Sequence, residues 1–257
     1  MTDKPSDWGT KDKFIPKTEI SEHLIVSAPF ISKGDIAFKG STEVSLSTVD
    51  KNTAIFYSFG GDFKEYKQPI KVTEKGTLKV YAERDGQKSA TVSTEFFKID
   101  PNVKINLKNQ YANQYNGGGK NALIDGIVGA EDFRTGTWQG YSNLDLVATV
   151  DLGKSKSIST VNIGFLEDQR SWIFLPTKVE VYVSNDNKNF TKVAFENIKS
   201  AVPREHVSIK KSEFNFSPKK ARYVKVIAKK LGVLPTWHLG YKHDGRSWLF
   251  ADEIVIK

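Results

Sequence analysis

Short runs of alternating apolar and polar residues recur along the chain. Val44–Thr48, Ala54–Ser58, Thr77–Ala82 and Ala90–Thr94 each put apolar side chains on one face of an extended backbone and polar ones on the other. Turn-forming clusters at Val49–Asn52, Gly60–Gly61, Glu74–Gly76 and Asp85–Gly86 separate them. Strands at this spacing predict a β-sandwich over residues 23–100. At Asp100-Pro101 the pattern breaks, and the chain becomes polar and loop-like through Asn109–Asn116 and Gly117–Gly119. Strand patterns then resume at Leu146–Leu152, Ile158–Phe165, Lys178–Val183, Phe190–Ala194, Ala221–Ala228 and Glu253–Ile256. No segment keeps a 3.6-residue apolar stripe for more than two turns, so the chain is expected to be all-β, with a second domain over residues 101–257. Residues 1–22, with Pro5, Gly9 and Pro16, read as a tail or interdomain connector on which Trp8 and Phe14 could dock against something.

Composition narrows the classes. A chain of 257 residues with 39% hydrophobic and 12% aromatic residues has the balance of a folded protein, and its apolar runs are too short to span a bilayer. The absence of cysteine removes disulfides, thiolate metal sites and cysteine nucleophiles together. The net charge of +8 falls entirely in the second part: residues 1–100 hold 15 basic and 15 acidic side chains, residues 101–257 hold 23 and 15. Ten of the basic residues lie between Lys199 and Lys230. The chain nevertheless has 32 Lys and only 6 Arg, whereas phosphate and base recognition favours the guanidinium fork. Solvated strand faces are the expected role of this strip, with no nucleic-acid partner and no membrane insertion.

Candidate chemistry is sparse. The adjacent acids Glu131-Asp132, Glu167-Asp168 and Asp252-Glu253 could suggest a glycosidase pair. The last of these enters a strand, however, where neighbours point to opposite faces. His23, His206, His238 and His243 lack zinc-ligand spacing, and no nucleophile elbow is present. No catalytic residue is expected. Hard cations take oxygen ligands from irregular backbone, and the loop from Ala122 to Trp138 is rich in them, with Glu253 able to close the cage.

The ordered series Ala122–Gly126, Trp138, Val150–Gly153, Val161–Gly164, Val181–Asp186, Ala221–Val226 and Asp252–Ile256 resembles the discoidin family, which includes the factor five/eight type C domains and the family 32 carbohydrate-binding modules. The resemblance implies a β-sandwich jelly roll and a structural calcium ion. Its ligands would fall on Asp125, Thr135 (or Thr137) and Glu253 through side chains, and on Ala122, Ile127 and Asp252 through carbonyls. Ser27–Pro29, Ser41–Leu46, Ala54–Ser58, Gln68–Ile70 and Leu78–Ala82 resemble the Ig-like C-terminal domain of chitobiases and β-hexosaminidases. That order of modules, with Ser171–Pro176 and Ser247–Phe250, resembles the C-terminal end of bacterial family 20 β-N-acetylhexosaminidases. The (β/α)8 barrel that carries their catalysis is absent from this chain.

The resemblance therefore implies a non-catalytic accessory segment of a secreted glycoside hydrolase, acting outside the cytoplasm beside its catalytic domain. Met1–Lys13 is polar, with no signal-peptide core, and the chain reads as a piece of a longer protein. A glycan ligand needs an exposed aromatic platform and polar neighbours. Arg170 and Trp172 in one loop, with Trp237 and His238 in another, are the candidates. Trp172 and Trp248 could instead be packing residues, and the competing function is a module that packs against a catalytic domain or a protein partner without binding sugar.

Overall fold

The computed structural model describes residues 25–199 and 202–257, and the expected connector at 1–22 and His23 lie outside them. In chain order the strands are β1 (Phe30–Lys33), β2 (Ala37–Phe38), β3 (Thr42–Ser47), β4 (Ala54–Phe59), β5 (Lys64–Glu65), β6 (Ile70–Val72), β7 (Gly76–Arg84), β8 (Gln87–Lys88), β9 (Val92–Lys98), β10 (Lys104–Leu107), β11 (Gln139–Ser142), β12 (Leu146–Glu167), β13 (Lys178–Ser184), β14 (Thr191–Asn197), β15 (Ser208–Lys229) and β16 (Trp248–Ile256). The described helices are single 3-10 turns, so the all-β expectation holds.

Strands β1–β9 build a three-stranded sheet, β1-β3-β6, and a sheet ordered β2-β9-β7-β4-β5 with β8 on β7. The inward residues of the alternating strands, including Val44, Leu46, Val72, Leu78, Val80 and Phe96, form one core between them. No pairing among the described strands joins this part to β10–β16.

Strands β10–β16 form one sheet in the order β11-β16-β12-β15-β13-β14, with β10 also on β12. Its frame is the antiparallel pair β12 and β15, each of 22 residues. Leu146 faces Ala228 at one end and Glu167 faces Ser208 at the other, with register breaks at Asp151/Lys156 and Ile158/Thr160. At those breaks the ladder bends, so the two halves of each strand serve opposite layers of a sandwich. Leu146, Ala148 and Val150 from one half meet Val161, Ile163 and Phe165 from the other in a single core with Val179, Val224, Val226 and Phe214. Arg222 grips Asp151 at the bend through two bonds of 2.8 and 2.9 Å.

The sequence pattern shows two separate strands at 146–152 and 158–165 and only the last third of β15. The earlier part of β15 alternates Ser212 and Phe214 inward with Lys211, Glu213 and Asn215 outward, but its lysines hide the pattern. The basic strip is largely committed within the protein. Arg204 pairs with Glu167, Lys210 with Glu196, Arg222 with Asp151 and Lys229 with Asp145. Lys230 binds the Asn143 carbonyl and side chain, and the Lys225 ammonium sits 3.4 Å from the centre of the Phe190 ring. No helix among the described residues is long and apolar enough to cross a membrane.

A buried carboxylate ties the β12–β16 pair to the long loop before β11. Between Ile163 and Phe165 the β12–β16 ladder breaks register, and Asp252 Oδ1 accepts the Gly164 N–H at 3.0 Å. Asp252 Oδ2 accepts the Gly129 N–H at 2.9 Å. Gly129 lies against the indole of buried Trp138, where an added Cβ would come within 2.1 Å of the ring. Trp138 Nε1–H in turn donates to the Ala130 carbonyl at 2.7 Å. The loop from Gly126 to Thr137 thus folds as a cap over one tryptophan.

Two outcomes are expected. Residues 101–257 expressed alone should give a dispersed NMR spectrum and a cooperative melt, because their core and hydrogen-bond ladder are self-contained. Gly164→Ala, whose Cβ would lie 2.3 Å from Asp252 Oδ1, should lower unfolding free energy by about 3 kcal/mol or more in denaturant titration.

Candidate functional site

The first candidate constellation lies where the 3-10 turn Ala122–Ile124 leads into Asp125 and faces β16. Ala122 is buried. Asp125 is buried as well, and its Oδ1 accepts the Ile127 N–H at 2.9 Å, turning the chain through Gly126 at φ 86°. The Glu253 carboxylate lies near the backbone N–H groups of Gly126 and Asp125, which counter its burial, and its Oε2 is buried with no hydrogen-bond partner. Burial, helped by the charge of Asp252, pushes Asp125 up to about 6, and burial, helped by Asp125 and Asp252, pushes Glu253 up to about 8. Asp252 is raised too, by burial.

The structure therefore brings Ala122, Asp125, Ile127, Asp252 and Glu253 together. It commits Thr135 elsewhere: its Oγ1 donates to the Asp132 carbonyl at 2.8 Å and meets Thr137 Oγ1 at 3.1 Å in an exposed turn. The extra length of the 126–137 loop, spent on capping Trp138, accounts for this. Among the described residues no three acid or imidazole side chains cluster closely enough to hold a metal by themselves. A hard cation does fit the site in part, because Glu253 Oε2 lacks a partner and the flanking backbone is irregular.

The second constellation joins three loops at one end of the sandwich. Asp168 opens the 3-10 turn Gln169–Ser171, and the chain leaves it through Trp172 at φ 64°, a left-handed conformation that is strained for a tryptophan. Two bonds pin that residue, from its N–H to the Gln169 carbonyl and from the Trp248 N–H to its own carbonyl. Behind the turn, Gln169 is buried and bridges Glu167, the Val202 carbonyl and the Arg204 N–H. Arg204 also pairs with buried Glu167 at 3.1 Å.

Onto this base folds the loop from Gly232 to Ser247. His238 reaches the Gln169 carbonyl with Nε2 at 2.7 Å and takes the Gly240 N–H on Nδ1 at 3.0 Å. Gly240 packs on the Trp172 indole, where an added Cβ would lie 3.0 Å from Nε1, and His243 stacks over Trp172 at 6.0 Å. Trp237 remains 43% exposed and Tyr241 42%, with Leu239 and Val233 still more open. Arg170 is exposed on the facing turn.

All four sequence candidates thus come together, but in unequal roles. Trp172 is a half-buried floor, and both ring nitrogens of His238 are occupied by the protein. Trp237 and Arg170 are the members that face solvent. Tyr241 joins Trp237 as an exposed aromatic. On the other side of the 168–171 turn, a cleft of about 320 Å3 is lined by Glu131, Phe133, Arg134, Asp168, Ser171 and Val207. Phe133 and Arg134 were invisible as site residues from sequence, since they reach the turn only through the Trp138 cap.

A bent β-sandwich with its ring-bearing loops gathered at one end defines a jelly-roll domain. The profile of the F5/8 type C domain family matches residues 104–253, and the chain belongs to that family. Similar solved structures include CpGH89CBM32-5 from Clostridium perfringens in complex with GalNAc-beta-1,3-galactose, at 22% identity over 60% of this chain and 94% of that one, with a TM-score of 0.39. The chitosan-binding module 1 of a chitosanase/glucanase from Paenibacillus sp. IK-5 is 14% identical over 61% and 95%, with a TM-score of 0.38. The CBM32 of AlyQ, in complex with 4,5-unsaturated mannuronic acid, is 13% identical over 60% and 92%, with a TM-score of 0.37. Comparison with curated proteins gives no match.

The raised carboxylates of the first constellation set a pH dependence. Asp125 and Glu253 have folded pKa values above their ordinary ones, so without metal the folded state binds more protons than the unfolded chain between about pH 4 and pH 8. Stability in chelator should then fall as pH rises through that window, by up to about 1.4 kcal/mol per unit for each group. Glu253→Gln should flatten the slope of melting temperature against pH.

Proposed function

We propose that residues 101–257 form a carbohydrate-binding module and that the chain is a non-catalytic accessory segment of a glycoside hydrolase. The observation that carries this reading is the exposed pair Trp237 and Tyr241 on a loop that His238 ties to the turn bearing exposed Arg170. An indole face suits the apolar face of a pyranose ring, while guanidinium and carboxylate groups suit its hydroxyls. Membership in the F5/8 type C family supports it. The 168–171 turn, with Arg170 on one side and the Phe133–Arg134 cleft on the other, offers room for a second sugar unit.

The expected parent is a β-N-acetylhexosaminidase exported from the cytoplasm, with residues 23–100 as an Ig-like spacer next to the catalytic domain. The motif resemblances at Ser27–Ala82 and Ser247–Phe250 support this. Calcium is proposed at the first constellation, held by Asp125, Glu253 and carbonyls of the 122–127 turn and of Asp252. When bound it would supply charge compensation for buried carboxylates. A competing role, packing on a protein partner, is favoured by Leu239, at 88% exposure the most open large apolar side chain of the loop.

An open site with one stacked ring gives a dissociation constant on the order of 0.1 to 1 mM. NMR titration with N-acetylglucosamine, galactose, N-acetylgalactosamine, GalNAc-beta-1,3-galactose and uronate oligosaccharides should shift Trp237 and Arg170 signals. Trp237→Ala should remove the response while leaving the melting temperature nearly unchanged. No shift with any sugar at about 20 to 50 mM, well above that range, favours the packing role. For calcium, a hundredfold excess over its dissociation constant should stabilise the domain by about 2.7 kcal/mol. Asp125→Ala should abolish the difference between calcium and chelator in thermal melts, and an unchanged difference rejects the site.

A further inference from the structure

We propose that His238 is a proton-sensitive clasp that positions the Trp237 loop, so that mild acid loosens the platform. The effect on ligand rests on the sugar-binding reading above; the clasp itself rests on geometry. His238 Nε2 lies 2.7 Å from the Gln169 carbonyl oxygen, and Nδ1 lies 3.0 Å from the Gly240 amide nitrogen. A carbonyl oxygen only accepts and an amide N–H only donates. Both contacts are therefore satisfied together by one species, the neutral imidazole with its proton on Nε2. A second proton would place an N–H on Nδ1 against the N–H of Gly240. One hydrogen bond is lost and a donor faces a donor, a worse outcome than simple removal of a bond.

The bond at risk holds the loop. Gly240 is buried against the Trp172 indole, and its N–H donates to His238, the N-cap of the 3-10 turn Leu239–Lys242 that carries Tyr241. Trp237 sits immediately before the clasp, and its ring contacts the His238 ring at 5.8 Å. The Phe174 ring, 5.2 Å from the imidazole, closes the far side. Among the described residues no carboxylate contacts the imidazole, and the Gln169 carbonyl keeps its Nε2–H bond in either protonation state, so the change on protonation falls on the Gly240 contact.

Charged and titratable groups on the packed elements are already engaged or point elsewhere. Glu167 is held by Gln169 and Arg204, and Asp168 by Ser171. Asp244 accepts the Arg246 N–H, and His243 stacks on Trp172. Arg170, Tyr241, Lys242, Asp244 and Arg246 are exposed on the same two loops. Among the described residues, no hydrogen bond or ion pair joins any of these side chains to His238.

The test follows the imidazole and the loop together in the full chain. Nitrogen-15 NMR from about pH 8 to about pH 5 should show His238 as the Nε2–H tautomer at the alkaline end. The Gly240 amide and Trp237 indole signals should then move with the same midpoint as His238, while the Trp138 indole, buried in the cap, stays fixed. His243→Gln should keep the response and His238→Gln should abolish it. A sugar that binds at about pH 7.5 should bind about tenfold more weakly at about pH 5, equivalent to about 1.4 kcal/mol, and His238→Gln should flatten that dependence. An Nδ1–H tautomer at alkaline pH, or Gly240 and Trp237 signals indifferent to the His238 titration, overturns the clasp. A titrating clasp with no sugar bound at any pH supports the clasp and counts against the sugar-binding reading alone.

Discussion

The second half of the molecule depends on the buried side chain of Asp252. A carboxylate removed from water must be compensated, and here two backbone N–H groups far apart in sequence, those of Gly129 and Gly164, do it. One of them is freed by the irregularity in the β12–β16 ladder. The other fixes the loop that covers Trp138. Remove the carboxylate and the ladder irregularity has a stranded donor and the cap loses its anchor. The glycines at both contacts follow from this arrangement, because neither site has room for a Cβ.

Most of the architecture was legible in the chain itself. Alternation marked β3, β4, β7, β13 and the end of β16, and the lack of any helical stripe correctly implied an all-β protein. The ordered motifs from Ala122 to Ile256 pointed to the family whose profile matches residues 104–253. The long bent strands escaped notice because a bend interrupts alternation without ending the ladder, and because Lys210, Lys211, Lys219 and Lys220 made a structural strand look like a charge cluster.

The candidate sites were legible as residue types and much less as roles. Asp125 and Glu253 lie near one another, since β16 and the turn before Gly126 fix the positions beside them. Thr135 does not join them, because loop length alone cannot reveal that the extra residues wrap a tryptophan. His238 was expected to face a ligand, yet its partner Gln169 stands 69 positions away and no local pattern announces that contact. Trp172 likewise becomes a floor only because Gly240 and His243 fold over it.

The loops at this end are attached to the sandwich by side chains that grip backbone, through Gln169 and His238, and by backbone bonds to Trp248 at the start of β16. Cohesion and surface chemistry are therefore carried by different residues. Exchange of the exposed tips, Trp237, Leu239, Tyr241 and Arg170, leaves the core untouched, whereas exchange of a gripping residue displaces a whole loop. A scaffold divided in this way can change its exposed tips one at a time without first becoming less stable.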